Sequence, residues 1–160
     1  MSILKVDTIN EKTSGNGVHI AGHVVQYKQR HFDLDSFTTS TASYIDFTNV
    51  YVDITPKFSN SLIKFRTQVL GKNATSLGYS QFQIVDTNNS NTRFNVNTAA
   101  ESSFYEETGW NTSVIVAVNT ANTTSTMRLQ LRVFTSSGHT SNFSWSSSDS
   151  RHVEAWEIAQ

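Results

Sequence analysis

Histidines at positions 19, 23, 31, 139 and 152 are the side chains best suited to hold a metal or move a proton near neutral pH. His19 and His23 stand four apart, the spacing that puts two imidazoles on one face of a helix. The segment between them reads as strand and turn, so that shared face does not form. A single histidine per chain on a threefold axis would also meet two copies of itself. The expectation for all five is a surface or interface role, with no metal site. Nucleophilic catalysis requires a hydroxyl or thiol activated by a base that a third group orients. There is no cysteine and no Gly-x-Ser-x-Gly. Asp149, Arg151 and His152 lie together, yet serines are so frequent that nearness to one is uninformative. Glycoside cleavage requires two facing carboxylates. Glu106 and Glu107 are neighbours in a loop-like stretch, and Glu154 and Glu157 fall on opposite faces of a strand. The chain therefore reads as no enzyme and as needing no cofactor.

Aromatic side chains carry more promise. Phe104, Tyr105 and Trp110 cluster in SSFYEETGW, a loop-like stretch. Such rings offer flat apolar area with a polar tip, which suits contact with sugars or proteins. They are the candidate ligand or receptor contacts. The competing reading has them cover the end of the fold or fill an interface. Trp145 and Trp156 sit in strand patterns and are expected in a core or an interface.

The elements that must position these residues are strands. In SLIKFRTQV, Ile63, Phe65, Thr67 and Val69 share one face, and Lys64, Arg66 and Gln68 the other. In TMRLQLRVF, Met127, Leu129, Leu131 and Val133 oppose Arg128, Gln130 and Arg132. This period of two places one face on a core and one in water. From Val114 to Val118 both faces are apolar, which predicts a strand buried on both sides. Further short runs, VYVDIT, YSQFQIVD, TRFNVN, NFSWS and HVEAWEI, alternate with polar turn clusters such as DTNNSN and SSGHTS. Pro56 ends one strand, because proline cannot donate to a ladder. No amphipathic helix is evident, although NTAAESSFYEETGW has room for one helical turn. The pattern predicts an all-β antiparallel jelly-roll sandwich.

The chain has 160 residues, enough for one domain with its own core. Charged residues are only 16% and the net charge is −1, so Ser, Thr and Asn make the surface polar. No cluster of lysines and arginines exists to follow a phosphate backbone, which argues against nucleic acid. No run approaches the length of a membrane span, and the start, MSILKVDTINEK, shows no apolar signal segment. Without cysteine the redox compartment stays open. The Asn-x-Ser/Thr sites at Asn73, Asn88, Asn111, Asn122 and Asn142 read as chance in so Asn-rich a chain. A composition shift near Gly22 divides an arm, residues 1–22, from a head, residues 23–160.

Three stretches taken together resemble a known group. ILKVDTI, TSGNGVHI and GHVVQ resemble the N-terminal arm of small virion proteins of bacteriophages, marine and cyanobacterial ones especially. TTSTASYIDFTNVYVDITPKFSNSLIKFRTQVLG is similar to a segment of phage tail-fibre tips, and SDSRHVEAWEIAQ to the closing strand of such domains. The resemblance implies a tumour-necrosis-factor-like jelly-roll head, a homotrimer, and a place in the virion. It implies a tail fibre or knob that contributes to host attachment by touching a surface glycan or protein. The alternatives are a capsid head fibre or decoration protein, a carbohydrate-active hydrolase domain, and a free lectin-like module.

The arm fits this picture. Leu4, Val6 and Thr8 share one strand face and Ile3 and Ile9 the other, with Gly15 and Gly17 flanking Asn16 at a turn. A lone hairpin is marginal in water. Ile3, Leu4, Val6, Ile9, Val18 and Ile20 are therefore the expected anchor, covered by other chains or by tail, baseplate or capsid proteins of the particle.

Overall fold

The structure is a computed structural model, and it describes residues 20–32, 36–74, 78–94, 104–105, 110–144 and 152–160. Among them, eleven strands form and no helix. They are β1 (Val24–His31), β2 (Ser36–Thr39), β3 (Ile45–Ile54), β4 (Leu62–Asn73), β5 (Tyr79–Asp86) and β6 (Thr92–Phe94). They continue with β7 (Phe104–Tyr105), β8 (Asn111–Thr120), β9 (Met127–Thr135), β10 (Ser141–Ser144) and β11 (His152–Ile158). All pairings are antiparallel.

The first sheet runs β1–β11–β4–β8, with β10 and then β2 continuing beside the far half of β4. The second runs β3–β9–β5–β6, with β7 also on β5. Setting aside β2, β7 and β10, the remaining strands take the order first–eighth–third–sixth in one sheet and second–seventh–fourth–fifth in the other. That is the strand order of a jelly roll, whose long crossings carry the chain from sheet to sheet.

Alternation explains the core. Ile63, Phe65 and Val69 from β4 meet Leu129, Leu131 and Val133 from β9, all fully buried. Phe47, Phe82 and Phe143 close one end, with ring centroids 5.0 to 6.3 Å apart. The expected faces of β4 and β9 are thus observed, with one exception. Gln130, predicted to face water, is only 6% exposed. β3 bulges between Asp46 and Tyr51, where Asn49 takes a φ of 69°. The Gln130 amide fills the gap, donating to the carbonyls of Phe47 at 2.6 Å and Val50 at 3.2 Å. Buried carbonyls freed by a bulge require such a donor.

β8 corrects a second expectation. Ile115 and Ala117 are fully buried, but Val114 is 49% exposed. Among the described residues, β8 pairs only with β4 and no further layer covers its outer face, so the strand is buried on one face only.

Two side chains staple the layers. Glu157 is buried, and its carboxylate accepts the backbone N–H groups of Lys57 and Phe58 and the side-chain amide of Gln26. The Arg30 guanidinium lies 3.8 Å over the Tyr51 ring, with Arg128 4.2 Å from the same ring. Arg30 also donates to the carbonyl of Asn49.

These contacts define two ends. The start of β1, the end of β11 and the loops at 55–61 and 121–126 gather at one end. There Gly22 N–H donates to the Ala159 carbonyl at 2.8 Å, and Asn122 N–H to Ser59. The starts of β3, β5 and β8 and the ends of β4 and β9 gather at the other.

Candidate functional site

The expected contact residues lie at the end remote from Gly22. Trp110 directly precedes β8 and is 47% exposed, with the Lys72 ammonium 4.9 Å from its ring. Phe104 and Tyr105 form β7, opposite Ser80 and Tyr79. The stretch is thus partly strand where sequence suggested a loop or a helical turn. Ile20, at the opposite end, is 39% exposed. Ile3, Leu4, Val6, Ile9 and Val18 lie outside the described residues, as do His19, Glu106, Glu107, Trp145, Asp149 and Arg151.

The structure adds an aromatic group that sequence reasoning passed over. On the outer face of the second sheet, Phe134 lies between Tyr44 and Tyr79, with centroids 5.7 and 6.0 Å apart. All three rings are partly exposed. The Tyr44 hydroxyl donates to Gln81 Oε1 at 3.4 Å, and the pairing of Gln81 with Phe134 sets amide beside ring. In the neighbouring row, Asp46, Arg132 and Gln83 face one another across three strands, with Arg132 Nε 2.5 Å from Asp46. The available signal was the period of two: Tyr79 shares parity with Gln81 and Gln83, the water face of their strand.

The outer face of the first sheet is built from rows. Tyr27, Trp156, Lys64 and Val118 stand side by side across β1, β11, β4 and β8. Gln29, Glu154, Arg66 and Val116 form the next row. Tyr27 and Trp156 rings lie 5.4 Å apart, and Lys64 approaches the indole at 5.5 Å. Glu154 accepts from Tyr27 at 3.0 Å and from Arg66 at 3.4 Å, and His152 lies 3.5 Å away. A shallow depression opens between Arg66, Gln68 and His152. Desolvation raises the Tyr27 pKa, and the Glu154 carboxylate adds to the rise. Glu154 and Glu157 fall on opposite faces of β11, so they do not pair.

One buried carboxyl stands apart. Asp86 Oδ1 accepts the backbone N–H groups of Asn88 and Arg128, while Oδ2 is buried without a hydrogen-bond partner. Burial raises its pKa, against the pull of those donors. Among the described residues no three His, Asp or Glu side chains converge as metal ligands do.

No family model matches the sequence, and no curated protein matches it. Solved structures do. The chain is similar to a structure of the infectious bursal disease virus Gt strain, at 13% identity and a TM-score of 0.53, covering 97% of this chain and 36% of that one. It is also similar to a mutant VP2 protein of infectious bursal disease virus in derived T=1 particles, at 11% identity and a TM-score of 0.50, covering 98% and 41%. The chain thus spans well under half the length of these proteins. The likeness is one of fold, an all-β two-sheet sandwich.

Proposed function

We propose that this chain is a non-enzymatic structural protein of a virus particle, a bacteriophage tail fibre or knob that helps attach the particle to its host. The observation that carries this reading is the polarity of the sandwich. Residues 20–22 lie at one end, where Gly22 pairs with Ala159, and the exposed Trp110 and the partly exposed Tyr44, Phe134 and Tyr79 collect at the other. An anchor at one pole and a contact surface at the other is the layout of an adhesin. The strand order fits the tumour-necrosis-factor-like head that the sequence resemblance implies, and the likeness in fold to proteins of a virus particle agrees with it.

Three copies pack through the outer face of the first sheet in this reading. Tyr27, Trp156 and the valines of β8 present apolar area there, and covering it stabilises by about 25 cal/mol per Å². Closed symmetry buries it without leaving a copy of the patch open. A second reading, a capsid head fibre or decoration protein, is favoured by the particle origin of the similar structures. It keeps the arm as anchor and moves the head onto the capsid.

The test is deletion of residues 1–22. The truncated head is expected to fold, since every strand among the described residues lies at or beyond Val24, and to fail to join particles that lack the protein. Incorporation at the full-length level would refute the anchor.

A further inference from the structure

The second sheet carries a surface whose chemistry names a ligand class. We propose that Tyr44, Phe134 and Tyr79, with Gln81 and Gln83, bind a neutral pyranose-containing glycan; this rests on the attachment reading above and gives it a site. Three partly exposed rings in contact, with centroids 5.7 and 6.0 Å apart, form one apolar strip. Such a strip suits the C–H face of a pyranose, as flat rings bury area at little entropic cost. Sugar hydroxyls both donate and accept, and so do the groups that border the strip. Tyrosine hydroxyls and glutamine amides each offer both functions. Gln81 holds its oxygen toward Tyr44, so the position of its amide group is set before a ligand arrives.

The charge at this surface selects against ionic ligands. Arg132 is matched by Asp46 at 2.5 Å and also donates to Asn91 at 3.2 Å. Among the described residues, the patch therefore offers no unmatched positive charge to a phosphate or carboxylate and no unmatched negative charge to a cation. Its place in the fold agrees. It lies on the sheet opposite the proposed contact between copies, and at the end remote from Gly22. A particle-bound head would present it outward.

The experiment screens the full-length protein against an array of neutral glucose, galactose and N-acetylhexosamine oligosaccharides, followed by calorimetry on each hit. Saturable binding is expected. Tyr79→Ala and Phe134→Ala should weaken it about tenfold or more, as loss of a central aromatic contact does. Gln83→Ala, a surface change that spares the rings, should weaken it less while leaving thermal melting unchanged. Lys28→Ala, remote from the patch, should leave binding intact. Absence of binding to every oligosaccharide would overturn the proposal, as would undiminished binding by the Tyr79 and Gln83 variants. Competition with particles for host cells separates the two readings. A protein that blocks attachment but binds no neutral glycan sinks the ligand class alone, and one that does not block attachment sinks the adhesin reading.

Discussion

The Glu157 carboxylate, on the last strand, accepts the backbone N–H of Lys57 with both its oxygens, at 2.8 and 2.9 Å. Phe58 N–H adds a bond at 3.0 Å and the Gln26 amide one at 2.6 Å. One side chain thus joins the first strand, the loop after β3 and the closing strand of the jelly roll. Bonds to a charged acceptor are each worth about 1.5–3 kcal/mol, and orphaning buried donors is costly. Glu157→Ala should destabilise the head by several kcal/mol (about 3–5 in scale with buried charge networks). Urea unfolding checks this, and an unchanged midpoint would show that the loop holds itself.

β8 supplies a paired test of inside and outside. Ile115 is fully buried, so Ile115→Asp places an unpaired charge in the core at a cost of several kcal/mol, comparable to a domain's stability of about 5–15 kcal/mol. It should abolish folding. Val114→Asp puts the same charge on the exposed face, so the variant should fold with little change in melting but fail to form the trimer. Light scattering should give three times 17.9 kDa for the parent chain and a single chain mass for Val114→Asp. A parent chain of single mass would refute the trimer.

Much of this strand was legible in sequence and half of it was misread. The alternation of Ile115 and Ala117 with the valines was visible, but periodicity cannot tell a strand covered twice from one whose second apolar face awaits another chain. The same limit hid Gln130, because a polar residue inside a β-bulge looks like any residue of a water face. Apart from Gln130, the faces of β4 and β9 were readable, since Lys64, Arg66, Arg128 and Arg132 alternate there with core side chains. The Tyr44–Phe134–Tyr79 group was not, because its members come from β9, β5 and the residue just before β3, and only the folded sheets set their register.

Asp86 gives the head a particular pH dependence. Burial raises its folded pKa above the ordinary value of 3.8, so the folded state binds the proton more tightly than the unfolded one. Stability from this group therefore grows as pH falls through the raised value toward 3.8, and is absent at higher pH. Asp86→Asn keeps an oxygen for Asn88 and Arg128 and removes the buried charge. The variant should melt higher than the parent at pH 7, and the gap should close as the pH is lowered toward 4. A gap that widens in acid would reverse the sign of the argument.

Trp110 should matter for contact and not for stability. Its ring is half exposed and touched by Lys72, a contact worth about 0.5–1 kcal/mol at an exposed site. Trp110→Ala should shift melting by little and weaken attachment to host cells severalfold. If attachment is unchanged while the trimer dissociates, the indole belongs to the interface between copies.

A density map of the intact particle would show whether this sandwich is a particle component held by its N-terminal arm. Threefold groups of the sandwich are expected on the particle surface. The end bearing Gly22 and Ala159 should face the particle, and the end bearing Trp110 and Tyr79 should face outward. Density that places Trp110 against the particle and Gly22 in solvent, or particles that contain no such sandwich, would contradict it.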